Sequence, residues 1–233
     1  MTLAAAFRTF KGGVLLCADR QEDNGIQKWE VDKIYHFIVH DCEIFLVSSG
    51  FSALIVNAYT RIHQHFMAAD AGGIDVVKDH WRLLKECLDS IYQDYAELQD
   101  NPLGLIVVIA PLLPGMIPMV YAGMGPVLSP SGPYVATGSG KAVSDYLAHR
   151  LYKQEHGNHF LALVAGLICR EVEYATLGVG FGFDWVFIHD GDKSRRELGP
   201  DMVKEIQAGI ASLEDAIFPY WKEHATLPAW FGR

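Results

Sequence analysis

The chain has 233 residues, half of them hydrophobic and a fifth charged, with a formal net charge of −9. That length supports one large domain with a sizeable core. The acid excess excludes nucleic acid as the main partner, since a phosphate footprint needs clustered Lys and Arg.

The same reading sets the outer bounds. No apolar run reaches transmembrane length. Arg8 and Lys11 interrupt any signal-peptide core near the start. No repeat at solenoid spacing and no linker divides the chain, so one domain is expected over 1–233, its last helix and tail at about 200–233. Cys17, Cys42, Cys87 and Cys169 form no Cys-x-x-Cys pair, and Cys17 and Cys169 lie in apolar runs as small buried thiols. Reduced thiols and a cytoplasmic location are the expectation.

In chain order, residues 3–7 read as a strand, Lys11-Gly12-Gly13 as a turn, and the apolar run 14–18 as a strand buried on both faces, ending at Asp19. Residues 21–27 are polar and contain Asn24-Gly25, a turn or loop. Two strands follow at 34–39 and 44–47, the first opened by Lys33 and the second closed by Ser48-Ser49-Gly50. Helices are expected from Ser52 to Ala68 and from Asp75, an N-cap, to Leu98. Strands return at 105–110 and 116–122. Pro130, Gly132 and Pro133 break the chain before a strand at 134–137. Gly138-Ser139-Gly140 leads into a helix over 141–152, and a second covers 160–174. Alternation from Val179 to Phe187 reads as a strand, Asp190-Gly191-Asp192 as its turn, and Pro200 opens a helix running to about Ala225.

Paired strands separated by paired helices do not fit simple βα alternation. They predict an α/β (α+β) fold, a four-layer αββα sandwich of two antiparallel sheets flanked by helices.

The second residue carries the chemistry. Met1 is followed by Thr2, small enough for methionine aminopeptidase to remove Met1. Removal would leave a hydroxyl and a free α-amine on one residue. A hydroxyl needs a base beside it, and an α-amine of pKa about 7.7–8.0 can serve near neutral pH.

Several segments, in order, resemble one known family. The opening from Thr2 through Gly13-Val14-Leu15-Leu16-Cys17-Ala18-Asp19-Arg20 resembles that of proteasome β-type subunits. Val31-Asp32-Lys33-Ile34 resembles their lysine-bearing strand start, Ser49-Gly50-Phe51-Ser52-Ala53 their turn into the first long helix, and Ala136-Thr137-Gly138-Ser139-Gly140 their Gly-Ser-Gly turn. The resemblance is specific over residues 2–53 and 134–150. It implies the Ntn-hydrolase sandwich and a divergent bacterial β-subunit homologue, with Thr exposed by Met removal alone and no propeptide.

It also implies roles. Thr2 Oγ is the nucleophile and its amine the base, acting through a water. Lys33 lowers the pKa of Thr2, Asp19 holds Lys33, the Gly50 N–H donates to the oxyanion, and Ser139 hydrogen-bonds near the amine. Glu173 and Thr176 keep the spacing of the family's supporting acid and hydroxyl, within a segment that departs from its pattern. The implied activity is a threonine endopeptidase needing no cofactor and no metal. The implied partners are a peptide or unfolded-protein substrate, further copies in a ring or related assembly, and an ATP-dependent unfoldase. A catalytically silent subunit and a small-amide amidohydrolase are the alternatives. Taken singly, Asp19 reads as a turn residue, Lys33 as a strand-edge charge, Gly50 as a turn glycine and Ser139 as an N-cap; with Thr2 they read as a site.

Other patterns lead nowhere. Gly138-Ser139-Gly140-Lys141 lacks the upstream Gly and following Ser or Thr of a P-loop, and Val143 replaces the third Gly of a dinucleotide fingerprint. His63 and His65 face different directions on a helix, His156 and His159 read as surface loop, and no Gly-x-Ser-x-Gly elbow occurs.

Overall fold

The computed structural model describes residues 2–23, 28–95, 103–155, 157–176, 179–180, 182–188, 196–197, 201, 203–212 and 215. Twelve strands and four long helices follow in the order β1 (Leu3–Arg8), β2 (Val14–Asp19), β3 (Gln21–Asp23), β4 (Lys28–Glu30), β5 (Ile34–Val39), β6 (Cys42–Ser49), α1 (Ser52–Ala71), α2 (Val76–Asp94), β7 (Gly104–Pro111), β8 (Met119–Met124), β9 (Val127–Pro130), β10 (Tyr134–Gly138), α3 (Lys141–Leu151), α4 (Asn158–Ala175), β11 (Phe183–Ile188) and β12 (Arg196–Glu197). Residues 203–212 are also helical. The Asp190-Gly191-Asp192 turn and the expected helix beyond 215 lie outside the described residues.

The strands form one sheet in the order β10-β1-β2-β11-β12, a second in the order β5-β6-β7-β8-β9, and a separate β3-β4 hairpin. Every pairing is antiparallel. Three apolar layers hold the four structural layers together. Ile44, Leu46, Leu105, Val107 and Ile109 pack against Leu54, Ile62, Phe66, Leu84 and Leu88 of α1 and α2. Leu3, Ala5, Phe7, Leu15 and Cys17 pack against Ala148, Leu161, Ala165, Ile168 and Val172 of α3 and α4, with Ile206 and Ile210 joining them. Between the sheets lie Ala4, Ala6, Val14, Leu16, Ala18, Phe45, Val47, Ile106, Val108 and Val186.

This layering explains why β1, β2, β6 and β7 read as continuous apolar runs. Successive side chains point to opposite faces, and here both faces are buried. Phe7, Phe45 and Phe66 are fully buried, each worth about 1.5–3 kcal/mol of apolar transfer. Small Ala4, Ala6 and Ala18 leave room in the middle layer for Phe45.

The structure departs from the expectation in four places. Residues 21–23 of the polar stretch read as a turn or loop instead form β3, paired with β4 so that Gln21 is opposite Glu30 and Glu22 opposite Trp29; Asn24-Gly25 lies outside the described residues. Arg20, just before β3, meets Glu30 of β4 at 2.5 Å. β9 was not anticipated; among the described residues it is an exposed edge strand paired to β8. The strand expected from Met116 begins at Met119, after the turn that closes with Met116 N–H on Leu113 O. The strand expected from Val179 begins at Phe183. The Asp75 cap is present, its side chain accepting from Lys78 N–H. No described helix is long and apolar enough to cross a membrane.

Candidate active site

Antiparallel register brings the site together. Leu3 pairs with Gly138 and Ala4 with Ala18, so the start of β1 lies beside the ends of β10 and β2. β11 begins opposite Asp19, with Phe183 as its partner. In the second sheet β6 ends at Ser49, and Lys33 stands one residue before β5. Thr2, Asp19, Lys33, Gly50 and Ser139, far apart in sequence, thus gather at one end of the two sheets.

Asp19 is fully buried. Its Oδ1 accepts from the Thr2 hydroxyl at 2.8 Å, the Leu3 N–H at 2.8 Å and Lys33 Nζ at 3.0 Å, while Oδ2 accepts from the Gln21 N–H at 3.2 Å. A buried carboxylate is tolerated only when paired and hydrogen-bonded, and these four donors meet that demand. Lys33 also donates to Thr2 Oγ1 and to the Gln21 carbonyl. The Thr2 hydroxyl therefore donates a hydrogen bond to a carboxylate and accepts one from a cation. A cation against that oxygen favours developing negative charge on it.

Ser139 completes the surround. Its Oγ accepts from the Thr2 nitrogen at 3.2 Å and donates to the Thr2 carbonyl at 3.3 Å, and the Gly140 N–H reaches the same carbonyl at 3.3 Å. Ser139 is not the cap of α3: the N-cap is Gly140, which has no side-chain capping bond. Gly138 has φ +98°, and a Cβ there would meet the Thr2 carbonyl oxygen at 2.1 Å. Only glycine lets β10 approach Thr2 this closely. Gly50 has φ +135° at the junction of β6 and α1.

Thr2, Lys33, Gly50 and Ser139 line a cavity of about 630 Å³, within the usual size of ligand sites. Its other walls include Glu22, Asp32, Tyr35, Ile55, Val56 and Tyr59.

Two of these contributors carry no sequence signal. Tyr59 of α1 hydrogen-bonds Ser48 Oγ at 2.8 Å and lies 3.5 Å from the Lys33 carbonyl. Burial pushes its phenol pKa well up, so the hydroxyl stays protonated. Tyr35 stacks on Tyr59 with ring centroids 5.1 Å apart. A tyrosine on an amphipathic helix looks like core; only the fold puts it under Lys33.

Glu173 lies in the last turn of α4, and Thr176 is its C-cap. A Cβ at Gly180 would meet Gln21 Oε1 at 2.7 Å and Glu173 Oε1 at 3.6 Å. The segment after α4 therefore packs against Gln21, whose carbonyl holds Lys33.

His63 and His65 are separated as expected: His63 Nδ1 meets the Tyr35 hydroxyl at 3.1 Å, and His65 Nε2 meets Glu86 at 3.3 Å. His156 lies outside the described residues, and residue 159, read as loop, falls instead in the first turn of α4, its side chain outside the described parts. Among the described residues no group of three or more His, Cys, Asp and Glu is placed to hold a metal. All four cysteines are free and buried. Cys17 and Cys169 face each other with sulfurs 3.5 Å apart, a pairing of β2 with α4 that the sequence did not disclose.

Two antiparallel sheets between helical layers, with a threonine opening the first strand, define the proteasome-like Ntn-hydrolase fold. Solved structures of Anbu, described as an ancestral β-subunit, share it. An Anbu mutant from Hyphomicrobium sp. strain MC1 superposes with a TM-score of 0.79 at 14% identity, over 98% of this chain and 100% of that one. Anbu from Yersinia bercovieri gives 0.74 at 14% identity, over 97% and 98%. The Anbu complex from Pseudomonas aeruginosa, described as a helical assembly, gives 0.77 at 15% identity, over 99% and 100%. At such identity the likeness is one of fold. No protein-family model matches the chain, and no curated protein matches it in sequence.

Proposed function

We propose that this chain is an N-terminal threonine peptidase of proteasome β type. The observation that carries the reading is the hydroxyl of Thr2, held between Lys33 and Asp19 at the edge of a large cavity.

Met1 removal turns the Thr2 nitrogen, now bonded to Ser139, into an α-amine. That amine takes the hydroxyl proton through a water, with Ser139 orienting it. Thr2 Oγ attacks the scissile carbonyl carbon while Lys33 offsets the charge gathering on Oγ. The Gly50 N–H, on the cavity wall, donates to the oxyanion; such a donor is typically worth about 3–4 kcal/mol. The tetrahedral species collapses, the amine product leaves with a proton, and a water then hydrolyses the ester on Thr2. Asp19 keeps Lys33 and the hydroxyl in register. No step needs a cofactor.

Self-assembly belongs to the same reading, because the structural relative from Pseudomonas aeruginosa is described as a helical assembly. Turnover of fluorogenic peptides by the Met1-free protein, lost in Thr2→Ala with the fold intact, is the expected result. Equal turnover in Thr2→Ala contradicts it.

A further inference from the structure

We propose that the cavity beside Thr2 selects a basic side chain, lysine or arginine, on the acyl side of the cleaved bond, with Asp32 and Glu22 as the selecting residues. The proposal rests on the peptidase reading above and adds the substrate class to it.

Charge is the first ground. The charged residues on the cavity wall are Glu22, Asp32 and Lys33. The Lys33 cation is already engaged by Asp19 at 3.0 Å. Just behind the wall stands Arg20, and it is divided among three carboxylates: Glu30 at 2.5 Å, Asp184 at 3.3 Å and Asp32 at 3.7 Å. The cavity wall thus carries two carboxylates and one cation that is already engaged, and a cleft with that balance concentrates cations and repels acidic side chains. Like-charge rejection gives selectivity even where attraction is modest.

Shape and chemistry are the second ground. A lysine or arginine has a long apolar stem and a polar head. The cavity offers both surfaces. Ile34, Ile55, Val56 and the rings of Tyr35 and Tyr59 supply apolar wall. An aromatic face also attracts a cation directly. At about 630 Å³ the space is large enough to admit an extended basic side chain.

The two acids are held differently. Glu22 sits on β3 and accepts a hydrogen bond from Ser52, the first residue of α1, so it joins the hairpin to the opposite wall. Asp32 is largely exposed, and its contact with Arg20 is long. It immediately precedes Lys33 in the chain and lines the same cavity as Thr2.

The test is a panel of peptide coumarin amides differing only in the last residue, Lys, Arg, Leu, Phe or Glu, on the Met1-free protein. The expected kcat/KM for Lys and Arg is at least about tenfold above Leu and lowest for Glu. Asp32→Asn and Glu22→Gln, made singly and together, are expected to lower the Lys-to-Leu ratio about tenfold, and added salt to lower it as well. Asp32→Asn alone suffices should Glu22→Gln disturb the hairpin, because Asp32 is a surface group. Best cleavage after Leu, Phe or Glu, or a ratio unmoved by Asp32→Asn and by salt, overturns the selection and leaves the peptidase reading standing. No turnover of any peptide overturns the peptidase reading. Binding of the same peptides to Thr2→Ala then decides the selection: tighter binding of Lys and Arg peptides supports it, and equal or weaker binding ends it.

Discussion

Thr2 and Asp19 are joined by a 2.8 Å hydrogen bond in which the threonine hydroxyl donates to a fully buried carboxylate. The same carboxylate oxygen takes Lys33 Nζ at 3.0 Å, so hydroxyl, cation and anion form one unit.

That unit has a stability signature. Lys33→Met leaves the Asp19 carboxylate buried without its cation, and Asp19→Asn leaves Lys33 without its anion. Each single change is expected to cost about 3–5 kcal/mol. The double variant Asp19→Asn/Lys33→Met removes both charges and is expected to be more stable than either single variant, though inactive. Urea unfolding of the four proteins checks this; additive losses contradict the coupling.

Gly138→Ala sets a methyl group 2.1 Å from the Thr2 carbonyl oxygen at a φ of +98°. The backbone strain alone is about 1–3 kcal/mol, and Thr2 must move as well. A lowered melting temperature together with loss of peptide turnover is expected. Wild-type values in both would mean that β10 does not hold Thr2.

Ser139→Ala removes two hydrogen bonds to Thr2, one at its nitrogen and one at its carbonyl, from an exposed residue. Each such bond is worth about 0.5–1.5 kcal/mol, or roughly two- to tenfold in rate if it acts on the base. A fall in kcat of that size, with a changed pH profile and near-native melting, is the expected outcome. An unchanged kcat would reduce Ser139 to a turn residue.

The thiols make a separate prediction. Burial raises the Cys42 pKa to about 12 and the Cys87 pKa to about 11, and it pushes Cys169 up as well. A raised acid pKa stabilises the folded state below the unfolded value, near 9, and that contribution is lost as pH rises through the folded values. Melting temperature is therefore expected to fall from about pH 9 upward. A thiol reagent at pH 8 is expected to leave the native protein unlabelled and to label all four cysteines in denaturant. Rapid native labelling would contradict the burial.

What the sequence disclosed follows from where each residue's environment is set. β1, β2, β6 and β7 were legible because two-sided burial writes a continuous apolar run. The β3-β4 pair was not: Gln21, Glu22 and Asp23 are polar and show no apolar alternation, although they pair with β4 beside the Arg20–Glu30 contact. β9 was hidden for a similar reason, being an exposed edge. Thr2, Asp19, Lys33 and Ser139 stand at strand ends and turns, where a local motif marks them. Tyr59 has no such mark. Its place beside Lys33 exists only once α1 lies over the start of β5.

Intact mass with and without a peptide epoxyketone, a warhead that needs a hydroxyl and a free amine on one residue, tests the central claim most directly. Loss of Met1 and a one-to-one adduct, absent in Thr2→Ala, is the predicted result. A retained Met1, or a free Thr2 that stays unlabelled, contradicts the peptidase reading and points instead to a catalytically silent subunit.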